Sequence, residues 1–106
     1  MIRITFVIAT LDRGGSETQL VRLATGLDRE RFDPTVICLT RGGPLEGDLA
    51  RAAVRTFILH KRHKVDRTAL ARLTGLLRQV RPDIVHTWLF TANAYGRWAA
   101  LRAGVP

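Results

Sequence analysis

The sequence predicts an α/β fold, a doubly wound parallel sheet of about four strands with helices on both faces. Two observations carry this. Short apolar, β-branched runs alternate four times with segments of helical periodicity, and the crossovers between successive runs are too long for hairpins. Composition agrees: 106 residues allow one domain with a core, and 46% hydrophobic with 25% charged residues suits a globular chain rather than a disordered one.

The first strand is the run Ile2 to Ala9, whose near-continuous apolar character fits a central parallel strand covered on both faces. Leu11-Asp12-Arg13-Gly14-Gly15-Ser16-Glu17 follows as a glycine-rich turn opening a helix. Backbone N–H groups at such a turn can face a ligand, and the helix end adds roughly half a positive charge, so an anion site, most naturally for phosphate, is expected. The plain alternative is a βα turn with a capped helix. Ser16 and Gln19 read as a capping box, and Leu20, Leu23, Ala24 and Leu27 recur at helical spacing, predicting a helix from about Ser16 to Leu27. Glu17, in the first turn, is read as stabilising the helix dipole.

After the polar linker Asp28 to Arg31, Pro34 is expected at the entry to the second strand, Thr35 to Leu39. Cys38, the single cysteine, lies in that run and reads as a buried, inert thiol; no internal disulfide or cysteine metal cluster can form. Arg41-Gly42-Gly43-Pro44 is a turn whose proline starts a helix with Leu45, Leu49 and Ala52/Ala53 facing inward. Val54 to Leu59 is the third strand.

His60-Lys61-Arg62-His63-Lys64 reads as a solvated loop, because cationic neighbours oppose metal binding by the two histidines and no carboxylate or thiolate falls within the run. No metal site is expected. Asp66 caps a helix with Leu70, Leu73, Leu76/Leu77 and Val80 inward and Arg67, Arg72 and Arg78 on a basic outer surface. Arg81-Pro82 stops it, Asp83 to Trp88 forms the fourth strand, and a helix from about Ala92 to Ala103 ends at a Gly104 cap. In doubly wound sheets ligands bind beyond the carboxyl ends of the strands where strand order reverses, and both the glycine turn and His86 to Trp88 fall at such ends. His86 reads equally as a hydrogen-bonded core histidine or a functional group.

The formal charge of +8, from fifteen arginines and two lysines against nine acids, points to polyanions or an anionic membrane surface, or to codon bias alone. Nucleic-acid binding is disfavoured, since the basic segment contains no aromatic residue for stacking. No apolar run approaches the roughly 20 residues of a membrane span, and the first strand lacks a cleavage site, so the expected location is cytoplasmic.

Leu11-Asp12-Arg13-Gly14-Gly15-Ser16-Glu17 and Arg81-Pro82-Asp83-Ile84-Val85-His86-Thr87-Trp88, together with Cys38-Leu39-Thr40-Arg41-Gly42-Gly43-Pro44-Leu45 and the closing Gly104-Val105-Pro106, stand in an order and spacing that resembles the N-terminal domain of retaining GT-B glycosyltransferases of group 1, also called family 4. The likeness runs through all four βα units. It implies a cleft between two Rossmann-like domains, the acceptor mainly on this one and the nucleotide-sugar donor mainly on the other. It implies that Gly14 and Gly15 lie against the donor diphosphate, that His86 is the candidate catalytic residue, and that Asp12, Trp88, Asn93 and Tyr95 line the acceptor wall. Relatives often carry a histidine two residues after His86; Trp88 stands there, to stack on a sugar ring or fill the wall.

The resemblance further implies that residues 1–106 are a partial N-terminal domain, inactive alone, with no cofactor beyond the donor substrate. The fourth strand is then left with an apolar edge open to self-association. A lipid-linked or envelope acceptor would suit a basic helix resting on the inner membrane face. The competing classes are a non-catalytic phosphate- or partner-binding α/β module and a basic nucleic-acid-binding domain. A response-regulator version is weak, because Ile8, Ala9 and Thr10 occupy the strand end where such a module places acidic residues to hold Mg²⁺.

Overall fold

A computed structural model describes residues 1–12, 14–62 and 66–105, with backbone alone for Leu89, Phe90, Thr91 and Asn93. Its elements run β1 (Ile2–Ile8), α1 (Gly15–Gly26), β2 (Phe32–Cys38), α2 (Glu46–Arg51), β3 (Arg55–Ile58), α3 (Arg67–Val80), β4 (Ile84–Thr87) and α4 (Leu89–Ala103). The four strands form one parallel sheet in the order β3-β2-β1-β4. Strand order therefore steps outward from β1 to β3 and then reverses to β4. Right-handed crossovers require the helices before and after such a reversal to lie on opposite faces. The packing obeys this: α1 and α2 cover one face and α3 and α4 the other.

Side-chain alternation along β1 and β2 divides the core accordingly. Phe6, Ile8, Val36 and Cys38 meet Leu20, Val21, Ala24 and Leu49 on the α1/α2 face. Val7, Ile37 and Leu39 meet Leu73, Leu77, Ala92 and Ala99 on the α3/α4 face. Asp66 caps α3 as the sequence indicates, its side chain accepting from the Ala69 N–H at 3.1 Å and, through the other oxygen, from the Arg62 N–H at 3.0 Å. α3 ends on Arg81 in the left-handed conformation and α4 on Gly104, also left-handed.

Four local expectations are corrected. Ser16 is not the cap of α1: Gly14 is, and Ser16 is already helical, because the Thr18 N–H and hydroxyl both close onto the Gly14 carbonyl, at 3.0 and 2.7 Å. Pro34 lies inside β2, paired with Ile4; this is tolerated because β3 joins β2 only from Thr35 onward, leaving the proline with one neighbouring strand. Ala53 does not face inward. It is exposed at φ 57°, because α2 ends after six residues and the Arg29 guanidinium fixes the reversal through the carbonyls of Ala52 and Ala53. Finally, α4 begins at Leu89, three residues before the expected Ala92. Of the basic run, His63 and Lys64 lie outside the described residues; His60 and Arg62 are exposed, and Lys61 reaches over the Tyr95 ring at 5.5 Å from its centroid. Among the described residues no helix is long and apolar enough to cross a membrane.

The loops after β1 and β2 are pressed together. Leu39 and Thr40 donate to the carbonyls of Ile8 and Ala9 at 2.9 Å each, and the Leu45 N–H donates to the Leu11 carbonyl at 3.2 Å. At Gly43 a Cβ would stand 2.5 Å from the Leu11 carbonyl oxygen and 3.0 Å from the Asp12 nitrogen, both backbone atoms that cannot swing aside. Gly43→Ala is therefore expected to lower stability by about 1–3 kcal/mol in urea unfolding, the range for overpacking a close contact. Gly15→Ala, where a Cβ meets nothing within 4 Å, should leave the midpoint near its starting value.

Cys38 is fully buried, and desolvation, reinforced by the Glu46 carboxylate, pushes its thiol from 9.0 up to about 12. A raised folded-state value means that the folded chain holds this proton more tightly than the unfolded one. The associated stability is complete below pH 9 and is lost as pH climbs toward 12. Urea unfolding across that window should show an alkaline decline of up to about 1.4 kcal/mol per pH unit that Cys38→Ala lacks. Parallel declines in the two proteins would remove the thiol from the account.

Candidate functional site

The reversal of strand order lies between β1 and β4, and their carboxyl ends stand side by side: Phe6 pairs with His86, Val7 with Thr87, and the Trp88 N–H donates to the Val7 carbonyl at 2.9 Å. The β1–α1 turn and the end of β4 are thus brought to one place by the sheet itself. This is where an open α/β sheet leaves a crevice.

Gly14 takes extended backbone angles, φ −100° and ψ 173°, as the N-cap of α1, and its N–H donates to the Asp12 carbonyl at 2.8 Å. The next N–H groups, of Gly15 and Ser16, donate to no described residue, which leaves them pointing outward from the helix end. A Cβ added at Gly15 would meet nothing within 4 Å. At Gly14 a Cβ would meet the Glu17 carboxylate at 2.7 Å, so Glu17 folds back across the turn from the first helical turn. Arg13, within the same motif, lies outside the described residues.

Asp12 is oriented rather than free. Its two oxygens accept from Arg41 Nη1 and Nη2 at 2.9 and 2.7 Å, and the Thr10 hydroxyl donates to Oδ2 at 3.2 Å. Both side chains of the pair are well exposed, 41% for Asp12 and 61% for Arg41, so the pair stabilises the fold by less than about 1 kcal/mol. Its larger effect is positional: it fixes the loop after β2 to the loop after β1. Arg41 and Gly43 were not among the residues singled out for the site. The visible signal was the Arg-Gly-Gly-Pro turn after the second strand, which sheet order brings against the first turn.

His86 and Trp88 share the α1/α2 face of the strand end. The His86 ring lies 5.6 Å from the Phe6 ring and 5.1 Å from the indole of Trp88, the imidazole is exposed, and it hydrogen-bonds to no described residue. The reading of His86 as a buried, satisfied core histidine is therefore excluded. Trp88 is half-buried against the α1/α2 core, with its Nε1 buried and without an acceptor among the described residues. Strand end, imidazole and indole form a short aromatic ledge beside the glycine turn.

Tyr95 does not join this ledge. It is 9% exposed within the core on the α3/α4 face, and its hydroxyl accepts the Asp66 N–H at 2.7 Å, bracing the residue that caps α3. The physical reason is that α4 packs against α3 on the other face of the sheet, with Tyr95 on its buried side. The Asn93 side chain lies outside the described residues.

The arrangement offers outward amides with helix-dipole support next to an exposed imidazole and an aromatic surface, suited to holding a phosphate beside a polar, ring-shaped group. A search of curated proteins finds no match for the chain. The model of the family described as Glycosyltransferase Family 4 matches residues 13–106, the span that contains the turn from residue 13 onward, the ledge and every element after the first strand. The chain belongs to glycosyltransferase family 4.

Proposed function

We propose that this chain is the acceptor-facing N-terminal domain of a two-domain, GT-B, retaining hexosyltransferase that works in the cytoplasm on a nucleotide-diphosphate sugar. The observation that supports it most is the meeting of the glycine turn with the His86 and Trp88 ledge where strand order reverses. In the reaction, the bond from the sugar's anomeric carbon to the diphosphate oxygen breaks with its electron pair on the diphosphate. The acceptor oxygen bonds to that carbon with net retention, and its proton leaves for the departing phosphate or solvent. Charge grows on the diphosphate as the bond breaks, and the amides of Gly15 and Ser16 act there, while Gly14, whose own N–H is taken by the Asp12 carbonyl, keeps the backbone close to it. His86 faces the transferred sugar as the candidate catalytic group. Asp12 and Trp88 form the acceptor wall.

This chain supplies only the amide share of the diphosphate site. Basic donor ligands are assigned to a second domain, and residues 1–106 are expected to transfer no sugar alone. Binding of a diphosphate should nonetheless register. Titrating the labelled chain with uridine diphosphate or pyrophosphate is expected to shift the amide resonances of Gly15, Ser16 and Trp88, with weak affinity. Gly15→Val should reduce that affinity roughly tenfold, the worth of about one charge-assisted hydrogen bond, without changing the circular dichroism. Shifts confined to other surfaces, or equal affinity in the variant, would reject the site; sugar transfer by the purified chain would reject the two-domain assignment.

The same reading gives β4 a role as a joining edge. Among the described residues β4 pairs only with β1, and Ile84 on it is 46% exposed. An apolar edge strand pairs with whatever strand is offered. Sedimentation should show concentration-dependent self-association that Ile84→Lys suppresses; monomer behaviour at every concentration would count against it.

A further inference from the structure

The α3/α4 layer carries charge of one sign. α3 and α4 contain Arg67, Arg72, Arg78, Arg97 and Arg102 and no acidic residue. Every aspartate and glutamate of the chain lies elsewhere, in the loops, β2, α1 or α2. Between the two helices, on the side away from the sheet, runs a groove of about 480 Å³ with Leu70 and Thr74 in its floor and Arg67, Arg78, Trp98 and Arg102 around it. Two of its cations are held in place. The Arg102 guanidinium lies over the Trp98 ring, 4.9 Å from the centroid, and Arg78 Nη2 donates to the Arg102 carbonyl at 3.0 Å. None of the three arginines pairs with a carboxylate among the described residues.

Large apolar surface is exposed beside them. Trp98 is 45% exposed, and Leu101, one turn further along α4, is 79% exposed. A free phosphate or a nucleic-acid backbone would satisfy the arginines and leave Leu101 in water. A bilayer with acidic lipids satisfies both: guanidinia at the phosphates, the indole at the interface, and the leucine beneath it.

We infer that the outer face of α3 and α4 is a docking surface for an anionic lipid bilayer, with an acidic lipid phosphate seated in the groove among Arg67, Arg78 and Arg102 and with Trp98 and Leu101 entering the interface. This stands independently of the transferase assignment, since none of these residues belongs to the β1/β4 site.

The test is vesicle flotation of the full chain. Vesicles of phosphatidylcholine with phosphatidylglycerol should carry the protein, and pure phosphatidylcholine should not. The pair Arg78→Gln and Arg102→Gln should weaken binding about thirtyfold, at the usual worth of a basic residue near such a surface. Arg22→Gln with Arg51→Gln, the same charge loss on the α1/α2 face, should leave it within a few fold. Trp98→Ser with Leu101→Ser should abolish the fraction that stays bound at high salt, and in a Trp88→Phe background the remaining indole emission should shift to the blue on binding. Circular dichroism identifies any variant that fails to fold, and the blue shift of the folded chain tests the surface without them. No binding to acidic vesicles, equal loss from both arginine pairs, or displacement by inorganic phosphate or a short DNA duplex at comparable charge would overturn the assignment.

Discussion

Strand β1 is hydrogen-bonded on both sides and buries Phe6, Val7 and Ile8 against two different helix layers, and the position of the site follows from that double burial. A strand so enclosed has only its carboxyl end left to offer a ligand. The chain must leave that end between β2 and β4, so the turn from Leu11 to Glu17 has neighbours on two sides. On one side the β2–α2 loop packs on it through Gly43 and Arg41; on the other the ledge of His86 and Trp88 stands open. The crevice is asymmetric for that reason. One wall is locked by backbone contact, and the other is made of side chains.

Much of this was legible in the residues. The four apolar runs, the helix cap at Asp66 and the glycine end of α4 each depend on local chemistry, which a sequence displays directly. The family resemblance, carried by the order of motifs through four βα units, agrees with the match over residues 13–106. What escaped depends on neighbours that sequence distance conceals. Ser16 had the residue type of a cap, but the turn closed one step earlier on Gly14 because Thr18 could reach its carbonyl twice. Pro34 looked like a boundary because a proline inside a doubly paired strand would break its ladder, and only the late arrival of β3 makes the position tolerable. Tyr95 left its expected place on the acceptor wall and Arg41 gained a role for the same reason: one became a brace within the core, the other an organiser of the turn, according to what the fold set opposite them.

Charge is distributed with similar economy. The acids cluster where they orient something: Asp12 holds Arg41, Asp66 caps α3, Glu46 accepts from the Gly43 N–H at 3.1 Å, and Asp28 accepts from the Glu30 N–H at 3.0 Å to shape the linker before β2. Beyond the Asp66 cap, α3 and α4 contain no carboxylate, and three of their arginines settle on backbone carbonyls or an indole instead: Arg72 on the Leu59 carbonyl at 3.2 Å, Arg78 on that of Arg102, and Arg102 on Trp98. The net charge of +8 is therefore directional, and composition alone could not have shown its direction.

The close approach of Gly43 to the Leu11 carbonyl also bears on how such a domain can be rebuilt. Two loops separated by some thirty residues share one contact with no room for a side chain, and the ion pair across them aligns the same two segments. They behave as one heritable part. A chimera that imports the first turn from a relative while keeping its own second loop would inherit a mismatched backbone surface, so recombination between members of this fold should succeed where the crossover carries both loops together and fail where it falls between them.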